Sequence, residues 1–312
     1  MLFFCAGSVL HGTKTRDMEQ LGGLFKSMPW TGTTFLIGSC AISGLPPLNG
    51  FISEFLIYQG AFYSLNSNSK FLTLLGIIII VSLAIIGALA LLTFTRAFGI
   101  TFLGALRNPK IEHIHESNPL MLYPMVILAG FCILISIGSP FVLKFLYPVI
   151  KDISIISISL DETHFAPLNS LLWKVSGISA AFILFILVIL LLTNYLRHNR
   201  TVKEAETWGC GYNQISPRMQ YTAYSFSKPV KDLFLIFFRT RKKVIPVKGY
   251  FPDNASMVSN TPDLLYDSFL RPGLSIIERL IFKFKWIQHG NLQIYVLYIT
   301  VTLIILLVWK VS

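Results

Sequence analysis

The feature that most constrains this chain is a series of apolar stretches long enough to cross a lipid bilayer. A helix needs about 20 residues to cross the hydrocarbon core. With 54% hydrophobic and 13% charged residues, the chain carries more apolar surface than a water-soluble core can use. The pattern predicts an all-α fold, a polytopic bundle of transmembrane helices. The stretches cover roughly residues 30–65, 72–104, 120–147, 168–196 and 290–309.

The first stretch is interrupted by GLPPLNGFISEF, residues 44–55. As a continuous helix, residues 30–65 would be ~52 Å long, too long for one straight span of a ~30 Å core. It is therefore either a hairpin of two short spans or one span with an unwound middle. Proline disrupts the helical turn before it, and glycine allows conformations that other residues avoid. The predicted helix-break residues are Gly44, Pro46, Pro47 and Gly50.

The distribution of basic residues favours the single broken span. In that arrangement residues 11–30, 105–119 and 197–289 lie on one side and hold most of the lysines and arginines, whereas a hairpin would move Lys14, Arg16 and Lys26 to the other side. Basic loops are enriched on the cytoplasmic side. The net charge of +11 thus reflects membrane topology rather than binding of nucleic acid. The other side keeps Lys70, Lys144, Lys151 and Lys310.

Glu54 is the carboxylate embedded in an apolar span, where an ionisable group costs on the order of 2.5–3.5 kcal/mol. We expect it near the first turn of the second half-helix, where the helix dipole favours its charged form and desolvation favours its neutral form. Opposed effects of this kind suit a proton-relay site. The alternative is a structural glutamate that pairs with a neighbouring helix or lies at the interface. Arg96 is likewise either an arginine that snorkels to the headgroups or a fixed positive charge beside an ion path.

The polar region 197–289 contains an amphipathic segment near 274–288, with isoleucine, leucine and phenylalanine on one helical face. This pattern predicts a helix that lies in the membrane interface or along neighbouring helices. Residues 228–243 are a second candidate of the same kind.

No set of residues has the spacing of a metal or cofactor site. The cysteines Cys5, Cys40, Cys132 and Cys210 are far apart. His113 and His115 form a His-x-His pair, for which a solvated loop is favoured over metal binding. The sequence therefore predicts no cofactor, no metal and no catalytic centre in this chain.

Two long motifs carry a family resemblance. Residues 2–31, LFFCAGSVLHGTKTRDMEQLGGLFKSMPWT, followed by residues 35–60, FLIGSCAISGLPPLNGFISEFLIYQG, resemble the proton-translocating, antiporter-like membrane subunits of complex I, multisubunit sodium/proton antiporters and membrane-bound nickel–iron hydrogenases. ETWGCGYNQISPRMQYTAYSFSKPV, residues 206–230, and the final helix at 288–309 are similar to the hydrogenase-4 and formate hydrogenlyase branch, component B type.

The resemblance implies roles for particular residues. In this family the broken helix belongs to the second of two inverted five-helix repeats, and its ionisable residue, here Glu54, passes protons to an outer half-channel. The next span contributes to a hydrophilic axis, for which Arg96 is a candidate. His11 could belong to the same axis, although a loop or helix-end role is favoured. The first repeat is absent, so we expect a fragment or half of a split subunit.

The resemblance also implies a proton-translocating, non-redox subunit of a membrane-bound hydrogenase or formate hydrogenlyase-like complex. Its partners would be other membrane subunits and, indirectly, a peripheral nickel–iron hydrogenase and iron–sulfur arm. It would lie in the inner (plasma) membrane with loop 197–289 in the cytoplasm, and divide into a translocation module, 1–147, and an extension, 148–312. The alternatives are a subunit of complex I or of a sodium/proton antiporter, and a structural clamp formed by residues 274–288.

Overall fold

The computed structural model describes residues 1–109, 111, 114–153, 162–198, 210, 216–233, 241–245, 256–260, 266–284 and 292–311. These residues fall into two compact units, Met1–Phe226 and Ser227–Ser312, and each unit is described by itself. The predicted domain boundary at residue 147 stays a prediction.

The first unit is helical. Within the described residues, helices at Lys70–Phe102, Pro119–Ile137 and Phe165–His198 are long and apolar enough to cross a membrane, as is Leu292–Lys310 in the second unit. The prediction of a polytopic helix bundle is therefore confirmed. The helices are α1 (Leu2–Thr13), α2 (Pro29–Ile42), α3 (Asn49–Leu65), α4 (Lys70–Phe102), α5 (Pro119–Ile137), α6 (Ser139–Ile153), α7 (Glu162–His198) and α8 (Ala223–Leu233), the last of which continues into the second unit.

Helix α4 decides between the hairpin and the broken span. Its 33 residues make a helix ~50 Å long, which runs antiparallel to α2 and α3 together. Near its start, a Cβ atom on Gly76 would lie 2.9 Å from the carbonyl oxygen of Ala61 in α3. Near its end, the rings of Phe98 and Phe102 lie 6.5 Å and 5.2 Å from the ring of Phe35 in α2. Helices α2 and α3 therefore follow one another in line, and the predicted discontinuous helix is confirmed.

The predicted span 120–147 is not one helix. Helix α5 ends at Ile137, and the N–H of Gly138 donates to the carbonyl of Leu134 at 2.8 Å. Pro140 follows within the first turn of α6 and has no N–H with which to continue the α5 ladder. Helix α6 then packs along α7, where the ring of Phe141 lies 5.2 Å from that of Trp173.

The loop after α4 is fastened by a buried arginine. Arg107, 8% exposed, donates to the carbonyl of Ile100 at 3.2 Å, to that of Tyr221 at 3.0 Å and to that of Leu21. The side chain of Gln220 adds two hydrogen bonds to the backbone of Ala105, at 2.8 Å and 2.9 Å. Segment 216–226 is thereby held against the end of α4.

The second unit combines a short sheet with two helices. Strand β1 (Arg241–Ile245) pairs antiparallel with β2 (Ser256–Asn260), and a π-helical turn (Tyr266–Leu270) leads into α9 (Arg271–Phe284). The last helix is α10 (Leu292–Val311). The strand pair adds a small element that the all-α prediction did not include.

The predicted amphipathic helix near 274–288 is confirmed as far as Phe284, and residues 285–288 lie outside the described part. Its apolar side chains, including Ile276, Ile277, Leu280 and Ile281, are exposed within the chain. The second amphipathic candidate, 228–243, is wrong as a single helix, because residues 241–245 form β1; residues 234–240 lie outside the described part.

Candidate functional site

The break begins with a compact helix end. Gly44 adopts a left-handed conformation with φ of 63°, which is common one residue beyond a helix and favours glycine. Its N–H donates to the carbonyl of Ala41 at 3.3 Å, and the N–H of Leu45 donates to the carbonyl of Cys40 at 3.1 Å. This is the Schellman arrangement. The last carbonyls of α2 are thus partly satisfied within the chain.

The second half-helix begins in close contact with the first. A Cβ atom on Gly50 would lie 2.9 Å from the carbonyl carbon of Ala41 and still closer to its oxygen. Only glycine allows such an approach. Pro46 and Pro47, joined by a cis peptide bond, occupy the connection between the two halves. Gly44, Pro46 and Pro47 therefore lie between the two half-helices, and Gly50 lies in the first turn of α3.

The carboxyl group of Glu54 packs on the break itself. Glu54 lies in the second turn of α3, which begins at Asn49, rather than in the predicted first turn. Helical side chains point back toward the N-terminus, so the carboxyl reaches Gly44. The carboxyl carbon and the Oε1 atom of Glu54 lie 2.6 Å and 2.7 Å from the position that a Cβ atom on Gly44 would take. Within the described residues, Glu54 forms no ion pair.

The two half-helices also carry buried polar atoms without partners. The hydroxyls of Ser39 and Ser43 and the Oδ1 atom of Asn49 are buried and have no hydrogen-bond partner in the described part of the chain. Buried polar groups in proteins are rarely left unpaired. Ser39 and Ser43 also line a cavity of about 130 Å³ between α2 and α4, together with Thr95.

A second cavity lies on the α7 side of the break. It has a volume of about 250 Å³ and is bounded by Pro46, Pro47 and Phe51 on the broken helix and by residues of α7 that include Ser179. The break is thus flanked by open space on two sides, next to α4 and next to α7.

The structure does not bring the other two predicted residues to Glu54. Arg96 is half-buried on α4, next to the cavity-lining Thr95, and its Nε atom is buried without a hydrogen-bond partner. His11 is exposed at the end of α1, with its ring 5.8 Å from that of His115 in an edge-to-face contact. The neighbouring Gly12 packs on Met28, just before α2, so His11 lies about one length of α2, ~21 Å, from the break.

Among the described residues, no group of three or more histidine, cysteine, aspartate or glutamate side chains could hold a metal ion. Cys5, Cys40, Cys132 and Cys210 are free thiols. His113 lies outside the described residues.

Glu116 is a contact that the sequence did not reveal. Its carboxylate accepts hydrogen bonds from the backbone N–H of Trp30 at 3.0 Å, from that of Thr31 at 3.2 Å, and from the Thr31 hydroxyl. The hydroxyl of Ser8 joins the same group, 3.0 Å from that of Thr31 and 2.6 Å from that of Ser117. We call Ser8, Thr31, Glu116 and Ser117 the polar latch. Asn118 followed by Pro119 is a typical helix start and indicates where α5 begins. Nothing in the sequence near Glu116 indicates that its hydrogen-bond partners are Trp30 and Thr31.

The family model described as "NADH:quinone oxidoreductase/Mrp antiporter, TM" matches residues 1–82. Hydrogenase-4 component B of Escherichia coli K12 is 32% identical over 99% of this chain and 47% of its own length. Formate hydrogenlyase subunit 3 of the same organism is 34% identical over 79% of this chain and 39% of its own. Na(+)/H(+) antiporter subunit A1 of Staphylococcus saprophyticus is 30% identical over 78% of this chain and 30% of its own.

Among solved structures, a chain of the membrane-bound sulfane sulfur reductase, an archaeal respiratory membrane complex, matches with a TM-score of 0.57 and 18% identity. The match covers 98% of this chain and 44% of that one, and at this identity it shows a shared fold. The chain spans less than half the length of each of these relatives.

Proposed function

Because the chain belongs to the antiporter-like family of membrane subunits, we propose that it is a proton-translocating, non-redox subunit of a membrane complex of the hydrogenase-4 or formate hydrogenlyase type. It is a multi-pass membrane protein. In such a complex, electron transfer in partner subunits would drive proton movement through this chain. Support for this branch comes from a match to hydrogenase-4 component B that extends over 99% of the chain.

The observation that carries the proposal is the position of the Glu54 carboxyl group on the break. A carboxyl group can accept a proton from one side of the membrane and release it to the other only if polar partners are within reach. The buried groups near the break that could serve in this way are the unpaired Ser39 and Ser43 hydroxyls and the Asn49 amide oxygen. The glycine at position 44 leaves room for the carboxyl, and in hydrocarbon such a polar site is tolerated only where it lines a cavity or is buried in protein.

The remaining assignments follow from the same proposal. Arg96 would be a fixed positive charge near the path, and His11 an accessory residue at the far end of α2. The basic loop 197–289 would face the cytoplasm, and the chain would lie in the inner membrane. Its partners would be other membrane subunits and, through them, a peripheral nickel–iron hydrogenase and iron–sulfur arm.

Two observations favour other functions. The match to a sodium/proton antiporter subunit and the family model shared with NADH:quinone oxidoreductase favour a subunit of those complexes, and the first predicts sodium-dependent activity. The exposed apolar face of α9 favours a clamp that holds neighbouring subunits. A clamp without a proton path predicts that Glu54→Gln is silent and that deletion of 274–288 prevents assembly.

The test is proton movement by the whole complex in sealed vesicles, driven by oxidation of its substrate. Glu54→Gln keeps the size of the side chain and removes its acid. We expect normal assembly on a native gel and retained electron transfer, with proton movement largely lost. Glu278→Gln on the exposed side of α9 is the matched control and should pump normally. Full proton movement by Glu54→Gln would overturn the proposal.

A further inference from the structure

We propose that Glu116 is a positioning residue for Glu54, because the polar latch fixes the location of α2 and therefore of the break. This inference rests on the proposed function of Glu54. Glu116 itself does not contact the break, since its contacts are at the opposite end of α2.

The polar latch joins three elements of the fold. Glu116 accepts from two backbone N–H groups in the first turn of α2, where a helix has unpaired donors and favours a negative charge. Ser8 on α1 bonds to both Thr31 and Ser117. Directly afterwards, Asn118 caps α5 by accepting from the N–H of Leu120 at 3.1 Å. The starts of α2 and α5 are therefore tied together and to α1.

The polar latch is well placed to set the axial position of α2. In a membrane the hydrophobic effect does not drive helices together, because lipid tails are as apolar as the side chains. Hydrogen bonds are directional and therefore favour one axial position. The side chains of Ser8 and Thr31 in the latch are fully buried, with 0% exposed surface. One turn further into the bundle, the Cys5 sulfur lies 3.5 Å from the Thr34 hydroxyl, which continues the same α1–α2 pairing.

The break tolerates little displacement of α2. Helix α2 has 14 residues, so its two ends are ~21 Å apart and move together. At its far end, the Ala41 carbonyl carbon lies 2.9 Å from the Cβ position of Gly50, and the Glu54 carboxyl carbon lies 2.6 Å from that of Gly44. A shift of α2 by the size of a methyl group would separate or overlap these groups. Releasing the latch should therefore move the environment of Glu54 without touching it.

The experiment uses Glu116→Gln in the assembled complex with two independent measurements. Glutamine keeps the size of the side chain, but its NH₂ group cannot accept a hydrogen bond and its charge is lost. The substitution removes a charged helix cap. We therefore expect the ratio of α2 held by the polar latch to α2 released from it to fall on the order of fivefold. The number of protons moved per electron should fall by up to about fivefold, while substrate oxidation continues.

The second measurement reports the position of α2 directly. Thr34→Cys faces the native Cys5, and oxidative cross-linking of these two thiols should be efficient with Glu116 and severalfold weaker with Glu116→Gln. Glu116→Asp, one methylene shorter but still charged, should restore part of both signals. Glu19→Gln is the matched control, since Glu19 also accepts a backbone N–H, from Tyr224 at 3.2 Å, away from the latch.

The outcomes separate the two proposals. If Glu54→Gln loses proton movement while Glu116→Gln keeps both proton movement and cross-linking, the positioning role is overturned and the proposed function stands. If Glu54→Gln pumps normally, the proposed function fails, and the cross-linking result alone decides whether the latch fixes α2. If Glu116→Gln does not assemble, Thr31→Val, which removes only the hydroxyl from the latch, takes its place. Wild-type coupling and cross-linking in Thr31→Val would then overturn the inference.

Discussion

Replacement of Gly44 by alanine tests the geometry of the break most directly. The backbone at Gly44 has φ of 63°, and a Cβ atom placed there would lie 2.6 Å from the carboxyl carbon of Glu54. Alanine therefore introduces two separate problems, an unfavourable backbone conformation and an overlap with the carboxyl group. Both problems should lower the stability of the folded chain, and the second should also displace the acid from the break.

The cost can be divided between these two causes. A left-handed conformation costs a non-glycine residue about 1–2 kcal/mol. Forcing an additional methyl group against a packed neighbour costs about 1–3 kcal/mol. Gly44→Ala should thus lower the free energy of unfolding by about 2–5 kcal/mol. In a Glu54→Ala background only the backbone cost should remain, so the two substitutions should be non-additive by about 1–3 kcal/mol.

The assay is thermal unfolding of the assembled complex in lipid nanodiscs, with all members of the double-mutant cycle measured together. Gly87→Ala is the control, because nothing lies within 4 Å of its added Cβ and alanine is favoured over glycine inside a helix by about 1 kcal/mol. If Gly44→Ala unfolds at the same temperature as Gly87→Ala, the contact between the carboxyl group and the break is not present in the membrane. If its cost is unchanged in the Glu54→Ala background, the overlap is not its cause.

Two further substitutions test how the break is supported. Arg107→Ala removes hydrogen bonds to the carbonyls of Ile100 and Tyr221, and each bond to a charged group contributes about 1.5–3 kcal/mol to stability. Segment 216–226 should then detach more often, so trypsin should cut faster after Arg218. An unchanged cleavage rate would contradict the role of Arg107 in holding this segment. Gly76→Ala places a Cβ 2.9 Å from the Ala61 carbonyl oxygen, so α3 and α4 should separate at a cost of about 1–3 kcal/mol, measured as a lower melting temperature of the complex.

The sequence predicted those features whose causes are local. The prolines and glycines between residues 44 and 50 were sufficient to locate the break, and the spacing of apolar residues was sufficient to place α9. The same kind of information missed the division at Gly138, because one continuous apolar run covers both α5 and α6. The spacing of apolar residues also gave a wrong prediction over 228–243, because it fits an amphipathic helix although residues 241–245 form β1.

Features that depend on distant residues could not be predicted in this way. Glu116 lies in a polar stretch before α5, and its partners Trp30 and Thr31 are 86 and 85 positions away. The contact of Glu54 with Gly44 was also not predicted, although both residues were singled out, because it depends on the backbone path between the two half-helices. The sequence thus identified the groups at the candidate site but not how they meet.

The long helix α4 has a mechanical consequence for any motion at the break. It contacts α3 near Gly76 and α2 near Phe98 and Phe102. One continuous helix therefore supports both halves of the broken one. The two half-helices cannot slide along their axes or bend toward each other without losing one of these contacts. Freedom is therefore left to torsions of the short connection and to the swing of individual side chains, which are motions of a few ångströms. Transfer of a proton between neighbouring groups needs no larger displacement. A transport mechanism in which α2 or α3 slides along its axis would require α4 to bend.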